Sequence, residues 1–483
     1  MNVLVFGASG YIGSHLVPRL VAAGHAVRAT SRNAEALVGR GWEAVDTVSA
    51  DALDPTSLDR ALAGIEVAYY LVHSMASGPD FATRDRRAAR NFRRAAERAG
   101  VRRIVYLGGL QPGGSQSEHL ASREETGEIL RDGSIPVTEL RAGIIVGAGS
   151  AAFEVIRDLA FHLRVMVTPR WVRSRTQPIA LDDLLAYLVG VLDEPRTEGA
   201  TFDVGGPDTL TYQDMIRTFA EVAGAKVTII PVPVLTPRIS SYWLDLVTAV
   251  PSNVARPLID GLKHDLLADT AAIRALIPLE LRSYREAVER ALAMEQAGVM
   301  PARWQEGALV FRAGRPDIAF YSRSDGGEAA CEAPVEAAWH AIVSIGGRHG
   351  WPAFEWLWRL RAAFDRLIGG VGFRRGRRDQ NDVRVGDTID WWRVVAVEPG
   401  RRLTLLAEMK VPGAAVLELE ALPGATPGSS RISARAYFHP AGLWGLLYWI
   451  ALVPIHGPIF RRLAQAVASR AEAEATEAAR AGR

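Results

Sequence analysis

One cysteine, Cys331, in 483 residues leaves no partner for an internal disulfide. The fold must therefore be held by its core, and a reducing, cytoplasmic setting is expected. Charge of one sign is also in short supply. The chain carries 56 Lys and Arg against 54 Asp and Glu, a net charge of +2, which gives no global pull toward nucleic acid. The ten histidines show no ligand-like spacing and have no thiolate companions, so no metal site is expected. Internal repeats are missing. No leader precedes the first apolar run, which starts at Val3, and a signal peptide is not expected. What remains is ordinary for a globular protein, with 48% hydrophobic and 23% charged residues and length for roughly two to three domains.

The most informative stretch is Val3-Leu4-Val5-Phe6-Gly7-Ala8-Ser9-Gly10-Tyr11-Ile12-Gly13. Four apolar residues predict a buried strand, and an amphipathic run from Tyr11 to Ala23, stopped by Gly24, predicts a helix. The turn between them is punctuated by Gly7, Gly10 and Gly13. Such a turn aims free backbone N–H groups and the positive helix end at one point, where a pyrophosphate sits. Glycine is common here, so the spacing alone says little. Its place after a strand and before a helix makes dinucleotide binding the expectation.

Further strands are expected at Ala26–Thr30, Val45–Ser49, Val67–Val72 and Ile104–Leu107, alternating with helices such as Arg84–Ala99. That rhythm implies an α/β domain with a doubly wound parallel sheet. An NAD enzyme usually places an acid after the second strand to hold the ribose 2′-OH. This chain offers Thr30, Ser31 and Arg32, with no acid before Glu35. A hydroxyl and a guanidinium suit a 2′-phosphate, so NADP is the expected cofactor, with NAD the other choice. Asp51 and Ala52 follow the third strand, where the adenine belongs, while Asp54 reads as a helix N-cap. His73 and Ser74 stand at the carboxyl end of the fourth strand, where ligands gather in open parallel sheets.

The segments Gly7–Gly13, Tyr69–Met75, Val105–Leu110, Leu140–Gly147 and Gln177–Leu184 resemble the atypical, NmrA-like branch of the extended short-chain dehydrogenase/reductases. The resemblance covers about residues 1–300. It implies that Gly7, Ser9, Gly10, Tyr11, Ile12 and Gly13 cradle the pyrophosphate and that Ser31 and Arg32 meet the 2′-phosphate. It sets Asp51 and Ala52 at the adenine, with His73, Ser74 and Gly108 along the cofactor toward the nicotinamide. The chain departs from the family pattern at the active site. The usual Ser or Thr at the end of the fifth strand is replaced by Gly108-Gly109-Leu110-Gln111, and the Tyr-x-x-x-Lys pair by His119-Leu120-Ala121-Ser122-Arg123. Four-residue spacing keeps His119 and Arg123 on one helix face. A histidine can pass a proton near neutral pH, so His119 and Arg123 are the catalytic candidates. The plainer alternative is a capping histidine and a surface arginine. Beyond Ala151, Phe153, Phe161, Trp171 and the arginines Arg157, Arg164, Arg170, Arg173 and Arg175 are candidates for a substrate lobe or, alternatively, core packing with solvated charges.

After a linker at 301–316 the pattern changes. A strand region from Asp317, a helix opening at Ala333-Pro334, an apolar helix at Trp351–Leu367 and four strands joined by short turns predict an α+β domain with an antiparallel sheet over 317–470. Gly350-Trp351-Pro352, Gly386–Val394 and Ala407–Gly413 resemble a bacterial C-terminal domain of unknown function. The element order resembles the START-like, or SRPBCC, helix-grip fold, which implies an apolar cavity between sheet and long helix. The tryptophans at 351, 356, 358, 391, 392, 444 and 449 suit such a cavity or simply a core. Leu443–Phe460 has no charged residue. A folded helix is the preferred reading, contact with a membrane surface comes next, and a true span is last. The arginines of 374–378 read as a basic loop, and 471–483 as a charged tail.

The resulting expectation is an NAD(P)H-dependent oxidoreductase reducing a hydrophobic carbonyl or enone that the C-terminal domain helps to hold. Two alternatives remain open: a non-catalytic NADP(H) sensor, and a lipid-binding or membrane-surface protein. The expected partner is a small hydrophobic molecule, with no nucleic acid and an open oligomeric state.

Overall fold

A computed structural model describes residues 1–32, 37, 42, 44–73, 80–112, 117–162, 165–168, 170–231, 265–296, 318, 322–367, 369–370, 379 and 382–481. Ser74, the basic loop 374–378 and the linker 301–316 fall outside the described residues. The chain divides into two units, Met1–Pro316 and Asp317–Arg483.

The first unit begins with β1 (Asn2–Phe6), α1 (Tyr11–Ala22), β2 (Ala26–Ser31), β3 (Asp46–Ser49) and α2 (Pro55–Leu62). It continues with β4 (Val67–Tyr70), α3 (Phe81–Ala99), β5 (Arg103–Gly109), α4 (Glu118–Arg131) and β6 (Val137–Ala142), and returns at β7 (Thr201–Val204). These seven strands form one sheet in the order β7-β6-β5-β4-β1-β2-β3, with every pairing parallel. The crossovers from β1 to β2, β3 to β4, β4 to β5 and β5 to β6 each carry a described helix to one face or the other, so both faces are covered. Leu16, Val17 and Leu20 of α1 cover one face. The other is covered by Leu58 and Leu62 of α2 with Ala88, Ala89 and Phe92 of α3.

Local signals explain the boundaries. Asp54 caps α2 by accepting from Thr56 N at 3.1 Å, and Gly100 ends α3 at φ +72°, a conformation that favours glycine. The buried stripe of α3 is Phe81, Asp85, Ala88, Ala89, Phe92, Ala95 and Ala96. It contains one carboxylate.

The second unit holds β8 (Arg323–Cys331), α5 (Val335–Val343), α6 (Glu355–Leu367), β9 (Thr388–Ile389), β10 (Trp392–Glu398), β11 (Arg402–Ala407), β12 (Gly413–Pro423), β13 (Ser430–Pro440) and α7 (Gly442–Ala481). Its sheet is antiparallel, in the order β8-β13-β12-β11-β10-β9. The helix α7 packs on β8, β13 and α5, and brings Leu463, Ala464, Val467, Ala468 and Ala471 into the core. At Gly327 of β8 a Cβ would stand 2.3 Å from the Arg461 Cα, so glycine permits this approach of helix to sheet.

The first strand of this unit, Arg323–Cys331, is one continuous element that pairs with β13 along its whole length. Residues 471–481 of the charged tail form the last turns of α7. There Ala471 is fully buried, Glu472 accepts from Glu332 N at 2.9 Å and Glu474 pairs with His340 at 2.8 Å.

Candidate functional site

After β1 the backbone turns at Gly7, where φ is +97° and a Cβ would meet the Leu71 carbonyl group at 3.2 Å. Gly10 N–H donates to the Gly7 carbonyl at 3.0 Å, closing the turn, and Gly10 is the N-cap of α1. Gly13 is the most constrained, because a Cβ there would lie 2.4 Å from the Gly7 oxygen. No side chain caps α1 and no acid sits in its first turn, which leaves its positive end open to an anion.

Strand order reverses at β1, between β2 on one side and β4 on the other, and the crevice beyond the strand ends is where ligands bind in such sheets. A cleft of about 750 Å³ opens there. Gly7, Ser9 and Gly10 line it from the turn, and Ser31 and Arg32 from the end of β2. Asp51, Ala52 and His73 line it from the loops after β3 and β4. Ser31 and Ser9 hydroxyls lie 3.2 Å apart, joining strand end to turn. Asp51 spends one carboxylate oxygen on Leu53 N at 2.8 Å. Tyr11, Ile12 and Gly13 lie on α1 behind the turn, and Gly108 lies within β5; these four are not part of the lining. A glycine cradle that any Cβ would fill, an uncapped helix end, and a guanidinium with a hydroxyl where an acid would select NAD together fit a dinucleotide with a 2′-phosphate.

Beside the cleft a polar cluster assembles from three elements; of its members only His73 lines the cleft, and His119 and Arg123 are not part of the lining. His73 Nδ1 lies 3.0 Å from Asp85 Oδ2 of α3, and His73 Nε2 lies 3.0 Å from His119 Nδ1 of α4. The two imidazole planes are inclined by 22°, with ring centroids 4.8 Å apart. Ser122 Oγ donates to the same Asp85 oxygen at 3.2 Å. Burial lowers the His73 pKa, with Asp85 opposing the shift and Arg123 adding to it. Burial, then His73 and Arg123, bring His119 down to about 2. Both rings are thus neutral near pH 7 in this state.

Arg123 donates to the Leu107 carbonyl, and its guanidinium carbon lies 5.9 Å from the centre of the Tyr106 ring. It is fixed against the end of β5. At the end of that strand a Cβ at Gly108 would stand 2.7 Å from Glu139 Oε1, whereas one at Gly109 would make only ordinary contact with Leu120 and Arg123. The expected pair His119 and Arg123 is therefore brought together with His73. Asp85 and Ser122 were missed, although a lone carboxylate at an apolar-stripe position of α3 was a signal in the sequence. The substrate-lobe candidates part company. Phe153 and Arg157 are buried, with the Arg157 guanidinium 5.7 Å from the Phe161 ring centre, and Arg175 pairs with Asp265 at 2.8 Å.

A family model described as NAD(P)H-binding matches residues 7–142. A second, described as a protein of unknown function (DUF2867), matches residues 324–463. The (4-alkanoyl-5-oxo-2,5-dihydrofuran-3-yl)methyl phosphate reductase of Streptomyces griseus is 30% identical over 231 residues, 46% of this chain and 74% of that protein. The ceramide reductase of Caulobacter vibrioides is 28% identical over 240 residues, 48% of this chain and 73% of its own. Among solved structures, the NADPH-dependent quinone oxidoreductase QOR2 of Escherichia coli, complexed with NADPH, shares the fold with a TM-score of 0.51 at 22% identity, over 60% of this chain and 99% of that one. Fold and relatives converge: the chain is an NAD(P)H-dependent oxidoreductase whose first unit belongs to the NmrA-like NAD(P)H-binding reductases.

Proposed function

We propose that this reductase acts on an apolar carbonyl or enone of lipid- or isoprenoid-like character, and that its second unit takes up molecules of that class. The observation that carries this reading is a cavity of about 170 Å³ in the second unit, walled by Trp358, Trp392, Phe438, Trp449, Ile459 and Phe460 among others. An apolar cavity of roughly that size stays dry and admits a benzene-sized group. The element order, with α7 laid across an antiparallel sheet, is in keeping with the helix-grip fold of START-like domains. Two relatives are named for an alkanoyl furanone phosphate and for ceramide, in keeping with a substrate of apolar body.

Bound NAD(P)H supplies the hydride. Ser31 and Arg32 take the 2′-phosphate and favour NADPH. His119 gives the carbonyl oxygen its proton, through the ring nitrogen that His73 leaves free. Arg123, held by Leu107 and Tyr106, keeps the end of β5 and the start of α4 in register in place of the usual lysine.

The second unit also meets a lipid surface in this reading. Trp356, Leu360, Phe364 and Leu367 form an exposed stripe at helical spacing on α6, and Trp444, Leu447 and Ile450 stand exposed on α7. Leu357 and Trp358 of α6 and Trp449 and Leu452 of α7 wall the cavity, so the stripes flank it. Arg359 and Arg366 on α6 are exposed beside the apolar stripe, a pattern suited to anionic headgroups. The helix α7 is long and apolar enough to cross a membrane by length and composition, but its later turns are core. A cytoplasmic setting goes with the free, buried Cys331.

The test follows NADPH absorbance with a panel of long-chain methyl ketones, enones and prenyl ketones. Turnover is expected, with His119→Ala lowering kcat by about 10²–10⁴. Tight NADPH binding without turnover across the panel returns the chain to the sensor alternative.

A further inference from the structure

The His73–His119 pair is closed on one side and open on the other. His73 has both ring nitrogens engaged, by Asp85 and by His119. His119 has only Nδ1 engaged, and among the described residues its Nε2 has no hydrogen-bond partner. Asp85 is 4% exposed and accepts from His73 and Ser122 through one oxygen. A carboxylate can only accept, so His73 must carry its proton on Nδ1. In the neutral pair His73 Nε2 then accepts, His119 Nδ1 donates, and His119 Nε2 is left with a lone pair. The buried anion thereby fixes the tautomers of two rings in series.

From this geometry we propose that Asp85, His73 and His119 form a proton relay serving the cleft, with Asp85 and His73 as positioning residues that act through His119. The proposal rests on the reading of His119 as proton source. When the pair holds one extra proton, His73 is doubly protonated against Asp85, and His119 carries its proton on Nε2. As the carbonyl carbon receives the hydride, the π pair moves onto oxygen and the His119 Nε2–H bond breaks to form O–H. His119 Nδ1 takes the proton of His73 Nε2, and His73 keeps its Nδ1–H on Asp85. Three N–H bonds become two, one proton reaches the alcohol, and the pair ends neutral. Water restores the proton at Nε2.

The groups facing the pair set its charge. Asp85 of α3 is the anion, Arg123 of α4 the opposing cation, and Tyr70 and Tyr106 stay un-ionised because burial holds both phenols above their usual range. The low His119 pKa places the extra proton on His73, beside the carboxylate, until the substrate oxygen draws it across. Reduction therefore speeds as pH falls, and Asp85 sets where that limb lies.

Two measurements decide the matter. The first is the ¹⁵N spectrum of the imidazoles in the full chain without cofactor, where both His73 and His119 are expected as Nδ1–H tautomers. Finding the His73 proton on Nε2 overturns the relay. The second is the pH profile of kcat for Asp85→Asn with NADPH and the best ketone of the panel. Removing the anion is expected to move the acidic limb down by about one pH unit or more with KM little changed. An unmoved limb in a variant that melts like the parent overturns the relay, even if His119→Ala is inactive. Full turnover in His119→Ala would instead remove the reading beneath it, whatever the tautomers show.

Discussion

Among the described residues of the first unit, the large apolar side chains left in water are few: Met1, Val165, Ile230 and Leu267. In the second they gather on α6 and α7, around a cavity with almost no polar wall. The polar investment runs the other way. The first unit holds the glycine turn, the open helix end and the buried Asp85–His73–His119 series. The second unit's buried polar groups serve its own packing, as where Trp351 donates to Asp390 at 2.9 Å. A parallel sheet buried on both faces can offer a ligand only its strand ends, where backbone amides and side chains converge. A sheet gripped by one long helix can instead offer space between them. One unit gathers polar groups near its strand ends, and the other surrounds an apolar cavity.

The contrast breaks most sharply at Gly13. Gly13→Val pushes a branched side chain into the Gly7 carbonyl, with overpacking of at least about 1–3 kcal/mol, and separates α1 from the turn. NADPH binding by calorimetry should weaken by more than about a hundredfold, while the second unit's tryptophan fluorescence stays unchanged. A parallel loss in both would mean that the units do not carry separate tasks. Arg32→Ala is milder. Losing a charged hydrogen bond of about 1.5–3 kcal/mol should weaken NADPH by roughly ten- to a hundredfold and leave NADH unaffected. Equal weakening of the two cofactors would assign Arg32 to the surface.

How far the sequence carried these features depended on range. The glycine turn was legible because all of its parts lie within seven consecutive residues, from Gly7 to Gly13. The alternating rhythm of the first unit and the meander of the second were legible for the same reason, since neighbouring strands dictate each other. The absence of a hydroxyl at Gly108 was visible, but the closeness of the Glu139 carboxylate on β6 was not. His73 and His119 lie 46 positions apart, and their contact depends on the spacing of β4 and β5 and the entry of α4. Asp85 was readable as an acid in the wrong place, on the apolar stripe of an arginine-rich helix. Its partner was not. Conversely, the arginines after Ala151 looked like a binding lobe because sequence cannot distinguish an ion pair or a buried guanidinium from an open one.

A pH effect on stability sharpens the comparison from the side of the second unit. Burial pushes the Glu418 carboxyl up to about 7, against the attraction of Arg402 and with repulsion from Glu420. Its folded value therefore lies above its unfolded value of 4.5. The stability gained from the neutral form is complete below about pH 4.5 and disappears as pH rises through about 7. Urea unfolding should show the second unit weaker at pH 8 than at pH 5 by on the order of 2 kcal/mol. Glu418→Gln should remove most of that difference, and a variant with the same pH dependence as the parent would point to another group.

The smallest effect bears on whether the second unit's tryptophans form a site or only a core. Trp392 is 5% exposed and walls the cavity, and among the described residues its indole Nε1 has no hydrogen-bond partner. A buried donor left unmade costs about 1–3 kcal/mol, so an indole kept purely for bulk would be the worse choice beside phenylalanine. Trp392→Phe removes the donor and keeps a ring, and thermal stability should stay level or rise by about 1 kcal/mol. If the N–H is retained to meet an acceptor on an apolar ligand, the same variant should bind a long-chain ketone roughly fivefold more weakly in a fluorescence titration, the worth of one modest hydrogen bond. Stability and affinity moving in opposite directions would mark the cavity as a binding site. Stability rising with affinity unchanged would make Trp392 packing alone, and the two units would then differ in surface but not in purpose.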